Sequence, residues 1–206
     1  DKSEKITYEI IKNNDQFSFD TKFNIKDNSF QIVPLNYEKK EDVNSIIIIN
    51  GDFKKGNLLK FKTISLEENK NKILINNLKL DKNFKVLDIE KANINYKNKN
   101  KILNKINLRK DSSNFIVEGD NLDLSKLIDN IMDSDDENSS IFENLNSRVD
   151  INIKKTYIDE INHLNNLSGY IILKNNKINN LILDADFPND KNISLTVLTN
   201  DAKEIT

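Results

Sequence analysis

A two-residue hydrophobic period, repeated along most of the chain and interrupted by short polar turns, is the strongest constraint on its fold. In "FSFDTKFNI" Phe17, Phe19, Phe23 and Ile25 fall on one side, and Ser18, Asp20 and Lys22 on the other. "RVDINIKK" sets Val149, Ile151 and Ile153 opposite Arg148, Asp150 and Asn152. "INNLILDADF" sets Leu181, Leu183, Ala185 and Phe187 against Asn180, Asp184 and Asp186, and "ISLTVLT" sets Ile193, Leu195 and Val197 against Ser194 and Thr196. Successive strand side chains point to opposite faces, so this period predicts strands with one apolar face each. Further strands are expected at 6–11, 30–37, 43–50, 57–66, 72–80, 84–96, 102–109 and 114–119.

The turns between them are short, "KNNK" at 174–177 and "PNDK" at 188–191 among them. Short connections pair neighbouring strands antiparallel. The chain has only four Gly and two Pro, whereas about one residue in six is Asn. Asn tolerates the left-handed backbone region, so Asn-containing pairs are expected to make the turns. A one-face pattern over so many strands gives a sheet with one wet side and one side that needs cover. A sandwich, a closed barrel or a curved sheet around an apolar ligand would each supply it.

One segment breaks the period. Leu124, Leu127, Ile128 and Ile131 recur at three and four residues, which predicts a short amphipathic helix near 123–133 with Asp123 as its N-cap. The "DSDDENSS" that follows has no apolar residue with which to offset the entropy of ordering. The expected organisation is therefore a β-sheet segment over 1–132, an acidic flexible linker over 133–141 and a β-meander over 142–206 that continues the sheet. The chain opens on Asp1 rather than Met and closes on "NDAKEIT", so it is read as an excerpt of something longer.

Several kinds of chemistry are disfavoured. A net charge of −2, with acids and lysines interspersed, leaves no basic footprint for nucleic acid. Without Cys there is no disulfide, thiolate nucleophile or cysteine zinc site, and the single His163 has no second His to complete a dyad. A calcium loop begun at Asp133 would have Asn138 in place of the turn Gly and Asn144 in place of the bidentate Glu. The carboxylate pairs Glu67–Glu68 and Asp184–Asp186 lie on alternating strands, where acids ordinarily form the wet face. No phosphate loop, dinucleotide fingerprint or nucleophile elbow occurs. The expectation is a non-enzymatic protein with no metal and no cofactor. No apolar run has the length of a membrane-spanning helix; Ile46 to Ile49 is one short strand.

Two stretches carry a resemblance. "FIVEGDNLDLSKLIDNI", residues 115–131, has a strand ending in hydrophobic-x-G and then a DLS-x-L-hydrophobic helix. "HLNNLSGYIILKNNKINNLILDADFPNDKNISLTVLTNDAKEI", residues 163–205, has an L-x-G-x-hydrophobic meander leading to "NDA". This pattern resembles the AsmA-like family of envelope proteins, particularly the C-terminal region of its large members; Lys203 stands where the family pattern has Gly. The resemblance covers under a third of the chain. It implies a mainly β fold, a long curved antiparallel sheet forming an open groove or half-barrel. It also implies a periplasmic protein of the Gram-negative envelope, held in the inner membrane by a segment outside this excerpt. Such a protein would carry phospholipids between the inner and outer membranes, with acyl chains as its partners. Residues expected to line the groove are Val149, Ile151, Ile153, Ile171, Leu173, Leu181, Leu183, Phe187, Ile193, Leu195 and Val197. The alternative is a non-catalytic envelope-assembly or protein-binding β domain. A carbohydrate-binding face is disfavoured, because the absence of Trp and only five Tyr leave little surface for ring stacking.

Overall fold

The computed structural model describes residues 4–54, 58–125, 146–175, 177–189 and 191–199. It is mainly β. One large, curved, open sheet has the strand order β1 (Lys5–Asn13), β2 (Gln16–Ile25), β5 (Ser45–Lys54), β6 (Leu58–Glu68), β7 (Asn71–Leu80), β9 (Lys91–Lys97), β10 (Leu103–Asp111), β11 (Asn114–Asp123), β12 (Ser147–Tyr157), β13 (His163–Lys174), β14 (Lys177–Asp186), β15 (Asn192–Leu198). The short β8 (Val86–Asp88) pairs with β7 off this path. A separate hairpin of β3 (Phe30–Ile32) and β4 (Tyr37–Lys39) joins β2 to β5.

Asparagine does much of the turning. Asn14, Asn69 and Asn175 take positive φ in the tight turns after β1, β6 and β13, and Asn77 and Asn166 do so inside strands. Curvature has a second source. Gly51, Gly119 and Gly169 each lie beside a register shift, and all three fall on the apolar face. A Cβ at Gly51 would come 2.1 Å from the Lys60 carbonyl oxygen, one at Gly119 2.5 Å from that of Lys105, and one at Gly169 2.0 Å from that of Ile182. Glycine allows the neighbouring backbone to come that close, so the sheet bends toward its apolar side at these points.

Three expectations need correction. Residues 30–37 form not one strand but β3, a 3-10 turn over Val33–Leu35 and β4. Pro at the start of the turn has no N–H for a ladder, and Asn36 closes it with φ 49°. The run 84–96 divides into β8 and β9, because Asn77 (φ 50°) kinks β7: Lys79 and Leu80 meet β8 and Lys72 to Asn76 meet β9. The sheet also has one parallel joint, β11 with β12, where Phe115 faces Val149 and Asp123 faces Tyr157. Residues 124–146 separate these two strands in the sequence, and a parallel pair needs a long connection of this kind.

Most of the predicted helix and the acidic linker lie outside the described residues, as does the rejected calcium loop. Asp123 is the last residue of β11. Its carboxylate accepts the Ser125 N–H at 2.9 Å and the Asn98 amide at 2.5 Å.

Candidate functional site

Residues paired across a ladder share a face, so the register can be followed from one edge of the sheet to the other. One such row reads Tyr8, Thr21, Ile49, Ile64, Ile75, Ala92, Leu108, Val117, Ile151, Gly169, Leu183, Leu195. A parallel row runs Ile6, Phe23, Ile47, Leu66, Ile73, Ile94, Ile106, Gly119, Ile153, Leu167. One step to the other face the residues are Glu9, Asp20, Asn50, Thr63, Asn76, Lys91, Arg109, Ile116, Asp150, Tyr170, Ile182 and Thr196. The sheet therefore has an apolar side and a mainly polar side over its whole width. At about 4.8 Å between strands, the apolar track is roughly 50 Å long.

The predicted lining residues can now be placed. Val149, Ile171, Leu181 and Val197 form one row with Phe115, and Ile151, Leu183 and Leu195 belong to the long row above. Ile153, Leu173 and Ile193 fall on the same face, paired with Leu167, Ser147 and Ala185. Phe187 lies beyond the end of β14, in the turn where its N–H donates to the Lys191 carbonyl at 2.7 Å. Exposure rises toward the edge: Ile153 is 1% exposed on β12, three strands in from the edge, whereas Leu195 is 51% exposed on the last strand. At the opposite edge Ile6 and Ile10, on the same face, are also exposed. A track of this kind can hold an extended apolar guest by desolvation alone, each buried methylene contributing about 0.8 kcal/mol.

The first half of the track, through Ile49, Ile64, Ile75 and Leu108, was missing from the predicted lining. Its signal was the same alternation, already visible at 43–50, 57–66, 72–80 and 102–109. What the sequence does not display is the register that aligns these strands with the later ones.

Part of the apolar face has a cover. The β3–β4 hairpin lies on β5, β6, β7 and β9, with Tyr37 buried against Leu66, Ile73 and Tyr96, and with Phe30, Ile32 and Leu35 packed around them. Tyr37 meets Tyr96 edge-on, with ring centroids 5.7 Å apart. Its hydroxyl donates to the Glu68 carboxylate, and the Tyr96 hydroxyl donates to the Leu35 carbonyl at 2.5 Å. The fully buried Lys39 donates its ammonium hydrogens to the carbonyls of Lys26 and Asn28, each at 2.6 Å. Glu4 accepts the N–H groups of Lys26, Asp27 and Asn28 at 2.8–2.9 Å. Glu68 therefore faces the apolar side as a buried hydrogen-bond acceptor, while its neighbour Glu67 pairs with Lys72 in solvent.

The other polar candidates stay on the wet side. His163 pairs with Tyr157 across the ladder, ring centroids 5.7 Å apart. Asp186 accepts from the Asn166 and Asn192 amides, and Asp184 from the Ser194 hydroxyl. Asp120 occupies the bulge of β11 and accepts from Lys105 at 2.5 Å and Lys154 at 2.8 Å, tying β10, β11 and β12 together beside the parallel joint. Hydrogen bonds from Lys105 and then Lys154 hold its carboxyl at about 2, below the ordinary 3.8. A lowered carboxyl pKa favours the folded state above the unfolded value, and that contribution is lost as pH falls from about 4 through about 2. In a carbon-detected NMR titration the Asp120 midpoint is expected near 2, returning toward 3.8 in Lys105→Ala/Lys154→Ala. A midpoint that the double substitution leaves in place would refute this bridge.

Comparison with known proteins gives no match: no family model, no curated protein and no solved structure matches the chain.

Proposed function

We propose that the chain is a non-catalytic segment of a periplasmic β-groove protein, anchored to the inner membrane by a segment outside it, which carries phospholipids between the two membranes of a Gram-negative envelope. The observation that supports this reading is the row, without a charged residue, that crosses all strands of the twelve-strand path from Tyr8 to Leu195. Acyl chains need a continuous apolar track and no directional partner. The envelope location rests on the family resemblance of residues 115–131 and 163–205.

The chain purified from a bacterial envelope is expected to retain phospholipid detectable by mass spectrometry. Glutamate in the track must either desolvate its charge or keep the guest away. Leu183→Glu and Leu195→Glu are therefore each expected to lower retained lipid roughly tenfold while the protein stays folded. A wild-type chain free of lipid, with both variants unfolding, would instead indicate a track buried within the protein itself.

The open edges favour one second reading, a protein-binding β domain. Every residue of β1 and β15 is exposed, and among the described residues neither strand has a partner on its outer side. Such edges can add a strand from another polypeptide. A partner bound in this way would be displaced by proline substitutions in β15, which leave the track residues unchanged.

A further inference from the structure

We infer that the turn between β7 and β8 is a membrane-docking tip, which inserts Phe84 into the interfacial region of an anionic bilayer. This goes beyond lipid carriage and does not rest on it.

Phe84 is 72% exposed at the apex of the turn. Its φ of 62° is left-handed, a region that bulky side chains avoid; no other aromatic residue among the described residues has a positive φ. The turn is nevertheless firmly built. The Asp81 carboxylate accepts the N–H groups of Asn83 and Lys85, both at 2.8 Å. The Asp81 N–H donates to the Lys85 carbonyl at 2.9 Å, and the Phe84 N–H to the Asp81 carbonyl at 3.1 Å. Asn or Gly would satisfy this backbone with less strain, so packing and turn formation do not account for a phenylalanine here. A strained, solvent-facing aromatic ring on a rigid turn suits insertion at the boundary of headgroups and acyl chains.

Charge selects the kind of surface. Lys82 and Lys85 flank Phe84 in sequence. The acids close by are turned inward, Asp81 into the turn and Asp88 onto Lys79 and Lys110 at 3.0 and 2.6 Å. The opposite rim of the sheet has its own exposed apolar tip, Ile161, but its turn, residues 158–162, carries Asp159 and Glu160 and no lysine, whereas residues 81–85 carry two lysines and one aspartate. An anionic surface would attract the Phe84 turn and repel the Ile161 turn. The apolar face also reaches the Phe84 rim through Leu80, which pairs with Val86.

Flotation of the 206-residue chain with vesicles tests this. The wild type is expected to float with vesicles of equal parts phosphatidylcholine and phosphatidylglycerol, and to float weakly with phosphatidylcholine alone. Phe84→Gly is expected to reduce binding about tenfold while raising the thermal midpoint, since glycine relieves the backbone strain. Lys82→Glu should weaken binding and its salt dependence together, and Ile161→Gly should leave binding unchanged. The inference is overturned if the wild type does not float, or if Phe84→Gly floats as the wild type does. A chain that fails to float yet retains phospholipid on purification would overturn docking and leave lipid carriage standing.

Discussion

Gly169→Val is expected to lower the stability of the chain by about 3–5 kcal/mol, more than any polar-face substitution. Two costs combine at this position. Its φ of +137° is one that L side chains rarely adopt, and the new Cβ would come 2.0 Å from the Ile182 carbonyl oxygen and 3.0 Å from the Leu183 Cα. Both neighbours are strand backbone, so relief requires β13 and β14 to separate where Tyr170 pairs with Ile182 and Ile171 with Leu181. Urea unfolding followed by circular dichroism measures the effect, seen as a lower midpoint. The adjacent exposed Ser168 provides the control: Ser168→Ala should change stability by less than about 0.5 kcal/mol. A wild-type midpoint for Gly169→Val would mean that the bend does not depend on glycine.

Tyr37→Ala should be nearly as damaging, at about 3–5 kcal/mol, because it removes a buried ring that three other buried residues pack around. Its effect should also be local. The β3–β4 hairpin would lift while the twelve-strand path stays paired, exposing Leu66, Ile73 and Tyr96. Increased binding of an apolar dye, with unchanged far-ultraviolet strand signal, is the expected readout; loss of the strand signal would count against a separable cover. Tyr37→Phe keeps the ring but leaves Glu68 without its hydroxyl donor, for a smaller loss of about 1–3 kcal/mol. Burial pushes the Tyr37 and Tyr96 hydroxyls above their ordinary value of 10.0, with the nearby Glu68 and Asp123 carboxylates adding to the rise. A raised phenol pKa contributes stability that is fully present below pH 10 and is lost at higher pH. Alkaline unfolding should therefore begin at the hairpin.

Strand existence was legible in the sequence because a period of two is a local signal. Phe17 to Ile25 and Val149 to Ile153 carry it without any knowledge of their partners. Register is not local. That Ile49, Ile75, Leu108 and Leu183 fall in a single row depends on register shifts beside Gly51, Gly119 and Asn166 and on the left-handed Asn77, each of which looks like an ordinary turn residue in the sequence. Residues 30–37 read as one strand because Phe30 and Ile32 alternate correctly; what they pack against lies on strands that follow in the chain. The parallel joint was equally hidden, since β11 and β12 are separated by a stretch without a hairpin signal. The eleven predicted lining residues were legible as a pattern, and ten of them lie on one face because that face is written residue by residue. Phe187 fell outside because the "PNDK" turn begins immediately after it and ends the strand at Asp186.

The two bare edges bear on scaling. In an open sheet of this kind, strand length sets the cross-section of the trough and strand number sets its reach. The two dimensions can therefore vary independently. Each further hairpin added beside β1 or β15 would lengthen the track by roughly 10 Å without altering the wall already in place. Four such additions would extend it by about 38 Å, more than the roughly 30 Å thickness of a bilayer core. A closed barrel has no such freedom, because each added strand widens it.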